Sequence, residues 1–169
     1  MRFFQFDKDK KDDPDANPAL VSANSTGPIE VLRDSATAQG DVEVTWETRL
    51  PTGRFDRRAR VLADRLELAF DEKAEGPFRD RVTRAVATGT RSRPARLFSP
   101  KIDATADRVE SDGAWIDLLS PWGRRVKVTQ RDPPESFTCR KARYNYITTA
   151  FEATGADYTQ PVEPDGEKR

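Results

Sequence analysis

The sequence contains no histidine and a single cysteine, Cys139. Histidine is the commonest general base and metal ligand, and it is the usual partner of a serine or cysteine nucleophile. The sequence also has no Walker-type phosphate loop, no Rossmann glycine triplet, no Gly-x-Ser-x-Gly and no Cys-x-x-Cys. These absences predict a protein that is not an enzyme, with no catalytic residues and no cofactor.

Long apolar segments are missing as well. No run approaches the ~20 apolar residues that span a bilayer. The start, MRFFQFDKDKKDD, has a short apolar patch followed by charges, which is not typical of a signal peptide. A lone cysteine cannot form an internal disulfide, which fits a reducing compartment. The sequence therefore predicts a protein of the cytoplasm, or of a particle assembled there, that is not secreted by a signal peptide and does not contact a membrane.

The patterning predicts one α+β domain, in which a small antiparallel meander packs against two or three helices. Residues 1–40 are expected to form an N-terminal arm and linker, because 7–28 is rich in charge, proline, asparagine and serine. Residues 41–155 are expected to form the domain, and 156–169 a disordered polar tail.

Three segments alternate with the period of a β-strand. The stretch DVEVTWETRL at 41–50 places valine and tryptophan against acids and threonine. Ser-Asp-Gly separates 108–110 from 114–119, which predicts a hairpin. Residues 124–130 place two valines on one face and predict the next strand of the meander.

Three other segments have apolar residues at the spacing of a helix. Apolar positions three and four apart predict a helix over 55–70, although LELAF at its end also alternates as a strand does. Gly76-Pro77 and Gly89 bound a second predicted helix. Asp132, Pro133 and Glu135 resemble a helix start, so the third helix is expected to run to about Thr154.

Basic residues are clustered although 29 basic and 29 acidic side chains cancel over the whole chain. Residues 79–101 carry seven basic and one acidic side chain, and residues 122–143 carry seven and two. Arginine beside aromatic residues suits phosphate binding and base stacking, whereas arginine beside acids suits intramolecular ion pairs. The candidate residues for contact with a partner or nucleic acid are Arg91, Arg93, Arg96, Trp122, Arg124, Arg125, Lys127, Arg140, Lys141 and Arg143.

The two ends of the predicted domain suggest further contacts. In the last predicted helix, Arg140 and Arg143 fall inside the apolar sector, so each is expected to pair with a carboxylate or to reach a partner. Phe3, Phe4 and Phe6 are expected to anchor the N-terminal arm on its own core or on a neighbouring subunit.

A cluster of acids is the candidate for a cation site, but its pattern does not support one and no metal is predicted. Its spacing matches no ordered calcium loop, and a solvated pair of β-turns is the favoured explanation. The acids are Asp103, Asp107, Glu110, Asp112 and Asp117.

The favoured function at this level is a non-enzymatic structural, assembly or adaptor protein, for example a component of a viral particle. Its expected partner is a second protein or another copy of itself, because opposed charge blocks on a neutral chain favour complementary contacts. The alternative is a nucleic-acid-binding module that uses the two arginine-rich stretches. A carboxylate-based enzyme is third.

Overall fold

The computed structural model describes residues 2–5, 19–50, 52, 54–71, 73 and 81–158. Within these residues the chain is all-β and forms one sheet of fifteen strands, so the predicted α+β class is wrong. No described segment forms a helix long and apolar enough to cross a membrane. In chain order the strands are β1 Arg2–Gln5, β2 Ala19–Asn24, β3 Ile29–Val31, β4 Ser35–Arg49, β5 Phe55–Phe70, β6 Arg81–Thr88, β7 Ala95–Phe98, β8 Ile102–Ala106, β9 Arg108–Ser111, β10 Trp115–Leu119, β11 Val126–Arg131, β12 Pro134–Cys139, β13 Lys141–Asn145, β14 Phe151–Thr154 and β15 Asp157–Tyr158.

The strand order is β14-β13-β10-β9-β6-β1-β2-β4-β5-β7-β8-β11-β12-β15, with β3 beside β4 and an extra pairing of β5 with β6. All pairs are antiparallel except β1 with β6. The closed path β1-β2-β4-β5-β6 makes the sheet nearly closed and jellyroll-like. The opposite end is open, because β14 and β15 each pair with one neighbour among the described strands.

The sheet has two halves, which we call wings. The first wing contains β3, residues 35–39 of β4, residues 65–70 of β5, and β6, β9, β10, β13 and β14. The second wing contains β2, residues 42–49 of β4, residues 55–63 of β5, and β7, β8, β11, β12 and β15. The chain passes from one wing to the other at bends near residues 40–41, 63–64, 89–94, 107, 120–125, 140 and 155–156.

Backbone geometry explains two of the bends. Gly40 has φ +74° and Asp41 has φ +42° where the register of β4 against β5 shifts. A left-handed residue in a bulge turns a strand, and glycine adopts it without strain. Gly89 lies so close to the backbone of Arg93 and Ala95 that a β-carbon would clash with both. These positions let the chain fold one wing against the other.

The core lies between the wings. Alternate residues of each wing are buried and belong to one apolar cluster. It includes Leu66, Ile116 and Tyr144 from the first wing, and Trp46 and Leu97 from the second.

The three predicted helices are wrong, because their segments form β5, β6 and the run β12–β14. The buried positions of β5 are Ala59 and Val61 before the bend, but Leu66 and Leu68 after it. The inward-facing set changes from odd to even residue numbers at the bend. A strand that changes phase in this way leaves apolar gaps of three to five residues, which resemble the period of a helix.

The strand predictions are confirmed. Residues 41–50 fall mostly in β4, and β9 and β10 form the hairpin around Ser-Asp-Gly. Val126 and Val128 are buried on one face of β11. The edges of the predicted domain fall inside the sheet: the boundary at residue 40 lies within β4, which pairs with β5 on both sides of it. Part of the predicted tail forms β15, and residues 159–169 lie outside the described residues.

Candidate functional site

The interior between the wings is apolar. Its largest fully buried side chains include Trp46, Tyr144 and Tyr146. Thr45, Ser99, Asp107, Ser111 and Asn145 are the buried polar or charged residues in the described part of the chain, and most of them lie at strand ends or turns. An interior of this composition offers few polar groups to a hydrophilic ligand.

One tyrosine joins the wings across this interior. Tyr144 belongs to β13 of the first wing, and its hydroxyl lies 3.5 Å from the carbonyl oxygen of Arg58 in the second. Burial raises the pKa of the Tyr144 phenol above its ordinary value. The contact lies near the ends of both wings that are remote from the bends.

The apolar inner face extends beyond the core at β3. Ile29 pairs with Ala38 and Val31 with Ala36, and both alanines are buried in the core. Directly opposed residues of an antiparallel pair project from the same face, so Ile29 and Val31 belong to the inner face. Their side chains are nevertheless 42% and 57% exposed. The interior therefore has an uncovered apolar margin at this edge of the first wing.

Both edges of the first wing are unpaired within the described structure. β3 pairs with β4, and β14 pairs with β13. An unpaired strand edge presents a row of N–H and C=O groups that another strand can bind.

The predicted basic residues from the two stretches meet at the bends. Arg93 lies in the loop between β6 and β7 and bonds Asp41 at 2.6 Å and Asp64 at 2.7 Å. The hydrogen bond with Asp41 is the main cause of the raised pKa of Arg93. Arg124 donates to the carbonyl of Arg91, which is exposed in the same loop.

A cleft of about 350 Å³ lies beside this loop and contains a buried carboxylate. Asp107 is fully buried, and one of its oxygens accepts the N–H of Trp122 at 3.2 Å. Arg124 lies 3.8 Å from its other oxygen. Arg125 and Lys127 also line the cleft, and Arg125 pairs with Asp157 at 2.6 Å. Most of the charge in this group is compensated within the chain, and Asp107 ties the turn at Trp122 to the bend.

The outer face of the first wing is a lattice of ion pairs. Arg143 lies over the ring of Trp115, with 4.3 Å between guanidinium carbon and ring centroid, and Trp115 is half-buried. Lys141 and Arg143 share Asp117, and Arg143 faces outward instead of lying in an apolar helical sector. The pairs are Lys141–Asp117 at 3.2 Å, Arg143–Asp117 at 3.6 Å, Arg84–Glu110 at 2.8 Å, Arg108–Glu110 at 2.6 Å and Arg65–Glu67 at 2.8 Å.

The other predicted residues lie apart. Trp122 is 42% exposed in its turn, and Arg140 is exposed between β12 and β13. Phe3 and Phe4 belong to β1, which docks on the chain's own β2 and β6, while Phe6 lies outside the described residues.

Four arginines that the sequence interpretation missed line a second cleft, of about 320 Å³, which we call the tip cleft. It lies at the end of the second wing that is remote from the bends. Its described lining is Arg57, Arg58, Ala59, Arg60, Phe98, Ser99, Pro100 and Arg131. The signal in the sequence was the run Arg57-Arg58-Ala59-Arg60, which holds three arginines in four residues.

No group of three metal-ligating side chains occurs among the described residues. Several acids of the rejected cation cluster are instead engaged by arginine or lysine: Asp103 by Arg131, Asp107 by Arg124, and Asp117 by Lys141 and Arg143.

Comparison with known proteins shows the fold alone. No family model and no curated protein matches the sequence. The structure is similar to the crystal structure of LptH from Pseudomonas aeruginosa, described as the LptA-homologous periplasmic component of the lipopolysaccharide transport device. The TM-score is 0.54 with 16% identity, and the match covers 85% of this chain and 88% of that chain.

This likeness corrects three predictions. The fold is shared with a lipopolysaccharide transport component, so the functional prediction of an assembly or virion protein, with its nucleic-acid alternative, is wrong. The arginines behind that alternative are largely paired with carboxylates. The predicted cytoplasmic location is contradicted by this likeness, because the similar protein is described as periplasmic. A lone cysteine does not distinguish the compartments, because it forms no internal disulfide in either.

Proposed function

We propose that this chain is a non-enzymatic carrier module of the periplasm that binds lipopolysaccharide or a similar amphiphile by its acyl chains. The observation that carries the proposal is the inner face, which continues from the buried core to exposed Ile29 and Val31 on β3. Apolar side chains that point inward and are not covered offer an acyl chain a place to bury its surface, at about 25 cal/mol per Å². The shared fold supports the same class of ligand.

The unpaired edges support a protein partner. β3 and β14 lie at opposite edges of the first wing, so β14 of one copy can add to β3 of the next and continue the same sheet. Such an arrangement would also cover Ile29 and Val31 and would join the interiors of successive copies. A partner with a similar edge strand would bind in the same way.

Titration of the full chain with fluorescent lipopolysaccharide, followed by polarisation, tests the ligand. Ile29→Asp places a charge on the inner margin and should weaken binding by at least ~10-fold, because a carboxylate cannot be buried against acyl chains. Ile147→Asp is the matched control, since Ile147 is 44% exposed but lies in the turn between β13 and β14. Absence of binding by the unmodified chain, or equal losses in both variants, would reject the proposal.

A further inference from the structure

A bulge in β5 brings two consecutive arginines into the lining of the tip cleft. Trp46 pairs with Ala59 and Glu47 with Arg57, so Arg58 is the extra residue that has no partner in β4. Strict alternation would place neighbouring side chains on opposite faces, whereas a bulge re-aims them. Arg57 and Arg58 accordingly both line the cleft, together with Arg60.

Carboxylates hold these guanidiniums without lining the cleft. Arg58 uses its Nε towards Thr48 at 2.9 Å and Asp56 at 3.1 Å. Arg60 binds Glu43 through two nitrogens, at 2.9 and 3.0 Å. Neither acid is among the residues that line the cleft.

The other two arginines are less constrained. Arg131 contacts Asp103 through one nitrogen at 2.8 Å. Arg57 is exposed and forms no ion pair with any described residue. A guanidinium carries five N–H donors, so the described contacts leave donors on all four arginines.

The described lining of the cleft also includes one aromatic ring, that of Phe98. The ring of Phe98 lies 6.0 Å from the guanidinium carbon of Arg60 and 5.0 Å from that of Arg96. The cation–π contacts with the Phe98 ring restrict the orientation of the guanidiniums of Arg60 and Arg96. Two clefts at the bends differ from the tip cleft in their carboxylates: the cleft beside Arg124 is lined by the carboxylate of Asp107, and another, of about 370 Å³ beside Arg93, by those of Asp41 and Asp64.

We propose that the tip cleft binds a phosphate group, with Arg57, Arg58 and Arg131 as its main donors. Guanidinium matches phosphate in charge and in its paired donors. The source of the phosphate is either the phosphorylated headgroup of the amphiphile or a free phosphate. The first source rests on the proposed function, since the headgroup would lie at the end of the second wing while the acyl chains occupy the interior.

The test uses the full chain and two probes at about 150 mM salt, inorganic pyrophosphate and lipopolysaccharide, the latter with and without enzymatic removal of its phosphates. The tip variant is Arg57→Gln/Arg131→Gln. The control is Arg65→Gln/Arg84→Gln, which removes the same charge from the ion-pair lattice of the first wing. Binding is measured by titration calorimetry.

We expect the tip variant to bind intact lipopolysaccharide at least ~10-fold more weakly, and the control to bind within about twofold of the unmodified chain. Dephosphorylation should weaken binding to the unmodified chain by a similar factor and leave the tip variant unaffected. If dephosphorylation weakens both equally, or if the control loses as much as the tip variant, the headgroup assignment is overturned.

Pyrophosphate separates this inference from the proposed function. If the unmodified chain binds no lipopolysaccharide but binds pyrophosphate, and the tip variant loses that binding, the cleft is a site for free phosphate and the carrier function fails alone. If the unmodified chain binds no pyrophosphate, and dephosphorylation of lipopolysaccharide does not change its affinity, the tip cleft is not a phosphate site.

Discussion

The hydroxyl of Tyr144 in the first wing reaches within 3.5 Å of the carbonyl oxygen of Arg58 in the second wing. Arg58 is also the bulged residue of β5 whose side chain lines the tip cleft. One residue thus faces the interior with its backbone and the cleft with its guanidinium. The contact therefore joins the interior to the strand segment that carries the tip cleft.

Two substitutions separate the volume of Tyr144 from its hydroxyl. Tyr144→Ala should lower the free energy of unfolding by about 3–5 kcal/mol, because it leaves a cavity in the core. Tyr144→Phe removes only a long hydrogen bond and should cost about 1 kcal/mol or less. Urea denaturation measures both. A loss of several kcal/mol in Tyr144→Phe would show that the bond is much stronger than its length indicates.

Stability should fall in alkaline solution. Burial raises the pKa of the Cys139 thiol and of the Tyr144 phenol, and the charge of Arg125 offsets the effect on the thiol only partly. Both groups stay protonated in the folded chain at pH values where the unfolded chain releases its protons. The unfolded chain then binds fewer protons, so the free energy of unfolding decreases as pH rises.

The decrease should begin near pH ~8.5 for the thiol and near ~10 for the phenol, which are the ordinary values of exposed groups. It should level off above the folded pKa of each group. Cys139→Ala should flatten the first part of the curve, and Tyr144→Phe the second. If the free energy of unfolding changes with pH between 8 and 10 in the same way in Cys139→Ala as in the unmodified chain, the assignment to the thiol is contradicted.

Arg143→Ala should cost only about 1 kcal/mol. Its guanidinium is partly exposed, its ion pair with Asp117 spans 3.6 Å, and Lys141 also pairs with that acid. An exposed pair and a cation–π contact each contribute about 0.5–1 kcal/mol. Arg143→Lys should keep the charge but lose part of the stacking on Trp115. A loss of 3 kcal/mol or more on truncation would instead indicate that Asp117 is left buried and unpaired.

The strands that the sequence did predict each keep one phase of alternation over the predicted segment. The alternation of 41–50, the Ser-Asp-Gly hairpin and the valines of β11 all correspond to observed strands. Two of the three wrong helices fall where the chain crosses a bend, because β5 and the run from β12 to β13 change their inward-facing set there. Phe137 and Cys139 point inward before Arg140, whereas Ala142 and Tyr144 do so after it.

The candidate sites, too, could be predicted from the sequence only in part. Clusters of arginine are visible in composition, but their partners are set by folding: Arg93 bonds Asp41, 52 residues away along the chain. The tip cleft depends on a register shift between β4 and β5, which no local pattern specifies. The exposed apolar margin at β3 was hidden for a similar reason, since its inward direction follows from its pairing with Ala36 and Ala38.

The free edge of β14 gives a direct test of strand pairing between copies. The N–H of Asn145 donates to the carbonyl of Ala150 at 2.8 Å. In an antiparallel pair the backbone N–H and C=O groups of alternate residues point to the partner strand, so those of every second residue of β14 point to β13 and those of the intervening residues point away from the sheet. Ala153 is one of the outward-facing residues, and its side chain is exposed. Proline is tolerated at an edge position whose N–H points to solvent, but it cannot donate to an added strand.

Ala153→Pro should therefore leave the melting temperature within a few degrees of the unmodified chain while it weakens self-association at least ~10-fold, as measured by sedimentation velocity over a range of concentrations. Ala153→Ser, which keeps the N–H, is the control and should associate normally. Ile29→Asp should weaken association as well, because β3 would form the other side of the contact. An unmodified chain that stays monomeric at high micromolar concentration would contradict pairing between copies, and equal association of the proline and serine variants would place any contact elsewhere on the surface.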